Sequence, residues 1–418
     1  MHRWSTHTFK TMCGTPEEEH YMSTVLPRDA LRHAFVLDGL FAVTALDMSH
    51  ACAERERGGA ASEEDAARYE RLALEYYNCG SATFRALLSG TPPDAYPMMY
   101  IFSASAIIMV LGLPEGRSTA VNGGTGQDGG PDAETESDTA LGRIITLADL
   151  YGGIFMLIQV GWDALANSYY PFREALSTKV DKPDIMDKQR PIDRTDLPYR
   201  FASLDLLNDD IKTVLARLDA VNDAAHGIAP TNPDAKAEQA ERHRRLQQQH
   251  RELQQRQKKK RAEQAANGEV NLHLETQLEL ELEAEAETET GQDPDSPAGR
   301  HEMYSTTIFW LREIFAEAAD GRVKGFCLAF FTLMGVRFTE ALRAREPVAL
   351  FIVMHWAVQL DRLGREVWWA EDVGRRLVRE ISDLLRGPEG GHACAWIAAL
   401  PDGRDGIIWA RQQVGLPP

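Results

Sequence analysis

The chain has 418 residues, 44% of them apolar, and a formal net charge of −18. This length suits one large helical domain with insertions or two to three average domains, and the apolar fraction is enough for a sizeable core. The acidic excess argues against a protein that binds DNA by neutralising phosphates, because such a protein carries at least a basic patch. The segment 236–289 contains ten Lys or Arg and twelve Glu, so the rest of the chain holds a net charge of −16.

The cysteines are widely spaced and include no CxxC pair: Cys13, Cys52, Cys79, Cys327 and Cys394. An odd number at this spacing is typical of reduced thiols, and not of a disulfide framework or a zinc cluster. The opening MHRWSTHTFK lacks the apolar core of a signal peptide. The apolar runs at 101–113 and 348–358 are too short to span a bilayer. We therefore expect a soluble intracellular protein that does not enter a membrane. We expect no metal site and no bound cofactor.

The first predicted block, residues 1–113, contains three helices. Pro27 suits the first turn of a helix that continues through the apolar spacing of DALRHAFVLDGLFAVTALDMSHA. Ser62, with acidic residues behind it, predicts the N-cap of a second helix that runs through Tyr69 to Leu87. The third helix, AYPMMYIFSASAIIMVLGL, is apolar nearly all round, which indicates a central buried position.

Residues 114–138 are rich in glycine and acidic residues and predict a disordered insert. Gly124, Gly126 and Gly129 within it satisfy the GxGxxG pattern of dinucleotide sites. That pattern needs a strand before the glycines and a helix after them, whereas an acidic, Pro-containing stretch follows here. A linker is therefore favoured over nucleotide binding.

The middle block, residues 139–227, predicts two helices separated by a polar stretch with several prolines. The first helix passes through Ile144 to Ile158. The second runs from about Leu204 to Val221, with Ser203 as its N-cap. Both have the apolar spacing of helices that bury one face against a core.

The second insert, residues 228–300, has low complexity and predicts a solvated, mobile segment. Its first half is rich in Gln and basic residues and its second half in Glu. A tight basic run lies within it at Lys258, Lys259, Lys260 and Arg261. Three interpretations of this run stay open: a solvated charged segment, a nuclear-import signal, or a contact with DNA, which the acidic tract nearby disfavours.

The last block, residues 301–418, is predicted to be helical throughout. Its segment Pro347 to Leu385 predicts an apolar helix, a short turn with Trp368 and Trp369, and an amphipathic helix. No part of the chain alternates with period two between hairpin turns, and no helix pair repeats at a fixed period. The predicted fold class is therefore all-α: one large, bundle-like helical domain interrupted by two inserts.

Large apolar residues of this last block form helical stripes with two interpretations, plain core or the lining of an adaptable apolar pocket. The pocket candidates are Phe330, Phe331, Met334, Phe338, Met354, Trp356, Trp368 and Trp369. His355 lies beside two of them, either as a buried, hydrogen-bonded core histidine, which is favoured, or as a polar anchor for a ligand. No HExxH pattern and no GxSxG elbow occurs, so the sequence offers no catalytic residue.

Two parts of the chain resemble the regulatory domain of fungal-specific transcription factors, with the sterol uptake control regulators as the most similar group. The first part contains MHRWSTHTFKTMC, AFVLDGLFAVTALDMSH and ARYERLALEYYNCGSATFRALL. The second part resembles the C-terminal signature of the family through Pro347, Ala349-Leu350, Trp356-Ala357-Val358, Trp368-Trp369 and Arg375-Arg376-Leu377. Together they span most of the chain outside the inserts.

The resemblance implies an all-α regulatory domain, often dimeric, with an apolar pocket that holds a sterol in the sterol-sensing members. It implies transcription regulation in the nucleus, with or without a cytoplasmic pool, and a homodimer or a heterodimer with a related regulator. The family's zinc cluster needs six cysteines in two CxxC-led groups, which this sequence lacks, so direct DNA binding is not expected. Two other functions stay open: a helical biosynthetic-pathway enzyme, and a scaffold that recruits partners through its charged inserts.

Overall fold

The computed structural model describes residues 1–13, 16–55, 60–88, 95–114, 139–160, 165, 202–227, 296–321, 325–386 and 396–418. Every regular element in these ranges is helical and none is a strand, so the all-α prediction is confirmed. The predicted inserts fall almost wholly outside the described residues. So do the glycines of the GxGxxG pattern and the basic run from Lys258 to Arg261.

The α-helices are, in chain order, α1 His2–Thr6, α2 Pro16–His20, α3 Leu26–Ala30, α4 Ala34–Arg55, α5 Ala60–Leu87, α6 Tyr96–Gly112, α7 Ala140–Val160, α8 Asp209–Ala225, α9 Pro297–Asp320, α10 Phe330–Arg343, α11 Pro347–Gly364, α12 Val373–Arg386 and α13 Pro401–Gln413. Short 3₁₀ turns occupy Thr8–Met12, Leu204–Leu206, Phe326–Ala329 and Trp368–Ala370, and a π-helical turn occupies Tyr21–Val25. The chain divides into two compact units, Met1–Val221 with Tyr304–Pro418, and Asn222–Met303.

The smaller unit shows polar contacts among its described residues. The side-chain amide of Asn222 donates to the carbonyl of His301 at 3.0 Å, and Nε2 of His301 lies 2.8 Å from a carboxylate oxygen of Asp223. The rings of His226 and His301 meet edge to face. These contacts connect the end of α8 with the start of α9.

The large unit begins with a helical layer in which α4 packs along α5 and against α6. Buried residues follow one another from Ser105 to Leu111, so α6 is enclosed on every face, as its composition predicted. Among the described helices, one stretch, Ala34–Glu54, has the length and hydropathy of a membrane span. It packs between α5 and α6, which is the environment of a core helix.

The C-terminal half of the same unit has the predicted order of apolar helix, Trp-containing turn and amphipathic helix. Helix α11 is buried over almost its whole length, and α12 packs against it through residues four apart, Val373, Leu377, Ile381 and Leu385. Helix α7 joins the two halves of the unit, because it contacts α6, α10 and α12. Helix α10 bends at Gly335, whose φ of 74° lies in the left-handed region.

The helix predicted to start at Pro27 proved to be two helices. Pro27 does occupy the first turn of α3, but α3 ends at Ala30 and α4 starts at Ala34. The amides of Leu31, Arg32 and His33 donate three residues back, so the chain tightens and leaves the α-helical path. No Gly or Pro marks this break, which is why apolar spacing alone missed it.

Two predicted helix starts are wrong, although Ser203 is an N-cap as predicted. Ser203 accepts a hydrogen bond from the amide of Asp205, but this contact closes the 3₁₀ turn Leu204–Leu206. The amide of Ile211, in the first turn of α8, instead donates to the side chain of Asn208 at 2.8 Å. Ser62 lies inside α5, which begins at Ala60.

Candidate functional site

Four of the pocket candidates form a single aromatic cluster around Trp356. The Trp356 ring stacks on Phe330 at 5.7 Å between centroids and meets Phe331 edge-on at 5.0 Å. Phe330 also meets Phe338 edge-on at 5.8 Å. These separations are those of favourable aromatic pairs, so the cluster is an internally packed unit that joins α10 to α11.

The cluster is closed to solvent. The candidates Phe330, Phe331, Met334, Phe338, Met354 and Trp356 are each at most 4% exposed. The indole N–H of Trp356 donates to the carbonyl of Cys327 at 2.7 Å, so its polar atom is satisfied within the protein. In this conformation these six side chains are therefore core, which is one of the two roles their spacing allowed.

The remaining two candidates lie apart from the cluster. Trp368 and Trp369 form most of the 3₁₀ turn after α11, which packs against α4, α6 and α11. A Cβ atom added at Gly112 would lie 3.2 Å from atoms of both tryptophans, so the end of α6 comes very close to this turn. Trp369 is buried, whereas Trp368 is only partly buried and lies beside a polar cleft.

Within the part of the chain that the structure describes, two polar clefts adjoin the loop between α11 and α12. The larger, of about 300 Å³, is lined by Arg3, His7, Thr11, Asp47, His50, Ala51, Glu54, Gly364, Arg365, Glu366, Val367, Trp368 and Glu371. The other, of about 290 Å³, is lined by Asp361, Gly364, Arg365, Glu371, Asp372, Arg375 and Val414. They share Gly364, Arg365 and Glu371, so they form one continuous polar region, which we call the α4–α12 cleft.

His50 is the centre of the wall that α4 contributes to this cleft. Its Nε2 lies 2.7 Å from a carboxylate oxygen of Glu371, and its Nδ1 lies 3.9 Å from one of Glu54. The Trp368 ring lies beside the imidazole, tilted by 41° at 5.7 Å between centroids. Helix α4 and the loop after α11 are thus joined by one histidine between two carboxylates.

The N-terminal segment is tied to the same wall by a buried carboxylate. Asp47 is 2% exposed; it accepts hydrogen bonds from the guanidinium Nε of Arg3 and from the hydroxyl of Thr8, each at 2.7 Å. The bond to Asp47 raises the pKa of Arg3 above its ordinary value, against the opposite effect of its own partial burial. These charge-assisted bonds fix the first residues of the chain against α4.

Backbone geometry sets the position of Glu371. A Cβ at Gly364 would lie 2.3 Å from the carbonyl oxygen of Ala370, so the loop folds back directly onto the end of α11. Asp372 has a φ of 60°, in the left-handed region that few non-glycine residues adopt. The turn is therefore tightly constrained, and it directs Glu371 toward His50 across the cleft.

Carboxylates outnumber arginines in the lining of the α4–α12 cleft, six to three. Two of those arginines contact carboxylates other than the pair around His50. Arg3 bonds Asp47 at 2.7 Å, and Arg365 bonds Asp361 at 2.6 Å. The cleft is thus suited to a cation or a hydrogen-bond donor and poorly suited to an anion or to the apolar body of a sterol.

His355 has the role that the sequence favoured, a buried core histidine. Its Nδ1 lies 2.7 Å from the carbonyl of Phe351, and its ring stacks on Trp409 at 5.7 Å. The other ring nitrogen faces α13, where a Cβ at Gly406 would lie 3.3 Å from Nε2. Burial lowers the pKa of His355 to about 4, so the ring is neutral at physiological pH.

Neutral burial of His355 predicts a specific pH dependence of stability. The unfolded chain takes up a proton at this residue below about pH 6.5, but the folded chain does so only below about pH 4. The contribution of His355 to the free energy of unfolding is therefore fully present above pH 6.5 and is lost as the pH falls to 4, by about 3 kcal/mol in total.

Urea unfolding of the wild type and of His355→Asn at several pH values measures the slope of the free energy of unfolding against pH. His20→Asn, at an exposed site, is the control. Equal slopes for His355→Asn and the wild type would refute the assignment.

Sequence reasoning missed the polar contacts of the cleft. The one local signal was the spacing of His50 and Glu54, four residues apart on a predicted helix, which places both side chains on one face. The third member, Glu371, lies 321 residues after His50, and nothing in its local sequence distinguishes it from other surface glutamates.

Comparison with known proteins adds no relative: no family model matches the chain, and no curated protein and no solved structure matches it significantly. A proposal for the function of this protein must therefore rest on its residues and their geometry.

Proposed function

We propose that this protein is the regulatory part of a transcription regulator of the kind its two segments resemble. It binds an apolar small molecule such as a sterol and modulates transcription through partner regulators in the nucleus. Dimerisation with a related, DNA-binding regulator gives it access to promoters. No catalytic role is part of the proposal.

One observation supports the proposal above the others: the two segments that carry the resemblance are in contact. His50 is the last residue of AFVLDGLFAVTALDMSH in the first segment, and it touches both Trp368 and Glu371 of the second. Helix α4, which contains this stretch, also packs against the Trp368–Ala370 turn. Segments that form one contiguous structure are what a shared regulatory domain requires.

The aromatic cluster is the proposed site of the apolar ligand. It brings together four aromatic rings beside the bend at Gly335, and Val336 next to that bend is 45% exposed. Because the cluster is fully packed here, ligand entry requires α10 to move away from α11. The α4–α12 cleft is too polar to hold a sterol, so we assign the ligand to the cluster.

The proposal is tested with a fluorescent sterol and a reporter gene. The purified full chain is expected to bind dehydroergosterol saturably. The same chain, fused to a heterologous DNA-binding domain in a host without related regulators, is expected to change reporter output when sterol supply changes. Phe331→Ala should weaken both responses, whereas Met156→Ala, the loss of an exposed apolar side chain, should leave both intact. Absence of sterol binding together with a reporter that ignores the fused chain would rule the proposal out.

A further inference from the structure

We propose that His50, Glu54 and Glu371 form a binding site for a divalent cation, Zn²⁺ in particular, in the α4–α12 cleft. The site is independent of the sterol proposal, since it uses none of the residues of the aromatic cluster. It lies where the N-terminal helices meet the loop between α11 and α12.

The geometry of the three residues suits one ion. One ligand atom from each lies within 4.8 Å of the others. A tetrahedral ion with bonds of about 2.0 Å keeps its ligand atoms roughly 3.3 Å apart. Nδ1 of His50 lies 3.9 Å from the carboxylate of Glu54, and Nε2 lies 2.7 Å from that of Glu371, so the two carboxylates face different ring nitrogens. An ion binds one nitrogen of an imidazole, so one of these two exposed glutamate side chains must rotate toward the nitrogen that the other faces.

The chemistry of the donors selects the kind of ion. Imidazole nitrogen suits zinc and neighbouring transition metals, whereas calcium and magnesium prefer all-oxygen sites. One imidazole with two carboxylates gives three protein ligands, as in zinc sites that keep a fourth position open. The three residues line a cleft of about 300 Å³, which has space for a water molecule beside a bound ion.

The charge distribution of the cleft supports the same kind of ligand. Six carboxylates and three arginines line it, and Arg3 and Arg365 bond Asp47 and Asp361. Glu54 and Glu371 thus keep two negative charges close together with a single histidine between them. A divalent cation offsets both charges at once.

A bound ion has a structural consequence. It joins the end of α4 to the loop that carries Trp368 and Glu371, so it links the two segments of the large unit. A ligand that binds only the folded chain also stabilises that chain in proportion to its concentration over its dissociation constant. The proposed ion therefore stabilises the contact on which the regulatory domain depends.

The test uses the purified full chain, freed of metal with a chelator and titrated with ZnCl₂ in a calorimeter. Wild type is expected to bind one Zn²⁺ at this site, and Glu54→Gln and Glu371→Gln are each expected to lower the affinity at least 10-fold, as is His50→Ala. Glu64→Gln and His20→Ala, at exposed positions elsewhere, are the matched controls and should bind like wild type. Co²⁺ gives a second readout, because its visible absorption in a three-ligand site should vanish in Glu54→Gln.

The three variants also separate loss of binding from loss of fold. The Glu54 side chain is 64% exposed, so Glu54→Gln leaves the core untouched and decides the question even if His50→Ala does not fold. No Zn²⁺ binding by wild type would overturn the proposal. Equal binding by wild type, Glu54→Gln and Glu371→Gln would overturn it as well, because the ion would then lie elsewhere. Neither result depends on whether the protein binds sterol.

Discussion

Gly374→Ala is expected to destabilise the protein by about 3 kcal/mol or more, because the added methyl group has no space. Its Cβ would lie 2.2 Å from the amide nitrogen of Asp361 and 2.5 Å from the carbonyl oxygen of Ala357. Both atoms belong to the backbone of α11, which cannot rotate away as a side chain can. Helices α11 and α12 must therefore separate, or the start of α12 must unwind.

Chemical denaturation of wild type and variant measures the difference in the free energy of unfolding. Gly152→Ala is the matched control, since Gly152 also lies in a helix but nothing is within 4 Å of its added Cβ. That control should gain about 0.5–1 kcal/mol, because alanine is the better helix former. If Gly374→Ala unfolds like wild type, the close crossing of α11 and α12 does not exist in solution.

The same substitution bears on the cleft. Gly374 follows the loop that contains Glu371, and the loop is already constrained by the contact between Gly364 and Ala370. A shift at Gly374 is therefore expected to move Glu371 away from His50. In a variant that remains folded, weaker Zn²⁺ binding should accompany the loss of stability.

The helical architecture could be predicted because its signals are local. Continuous apolar composition predicted the enclosed helix α6, and Pro347 with the apolar run behind it predicted α11. The break before Ala34 could not be predicted, because no residue from Leu31 to His33 disfavours a helix. The cap of α8 was misplaced because Ser203 and Asn208 are both good caps, and only the path of the chain decides between them.

The candidate site could be predicted only in part. The helical spacing of Phe330, Phe338 and their neighbours correctly predicted that these large apolar side chains lie on one face. Spacing cannot distinguish a packed cluster from a pocket, because that difference depends on the distance between two helices. The partnership of His50 with Glu371 depends on the fold of the whole large unit. A left-handed residue, Asp372, and the close approach at Gly364 create it, and neither is visible in the local pattern.

Trp356→Ala is expected to destabilise the protein by about 3–5 kcal/mol, because it removes a fully buried indole and leaves a cavity among packed rings. The stacking with Phe330 and the edge contact with Phe331 are lost together, as is the hydrogen bond to Cys327. Trp356→Phe keeps most of the ring contact but removes that bond, so its expected cost is smaller, about 1–2 kcal/mol. Met156→Ala, at an exposed site, is the control and should change little.

Unfolding of these variants with and without dehydroergosterol decides between the two roles of the cluster. If the cluster is the ligand site, the sterol raises the melting temperature of wild type, and Trp356→Ala loses that increase because the wall of the site is gone. If the cluster is core alone, the sterol either leaves the wild type unchanged or raises the melting temperatures of wild type and Trp356→Ala equally. A milder substitution separates affinity from stability. Under the proposal Trp356→Phe should retain the increase, since most of the apolar ring remains although the donor to Cys327 is lost. Stabilisation by sterol that is equal in wild type and Trp356→Ala would place the ligand elsewhere and refute the assignment to the cluster.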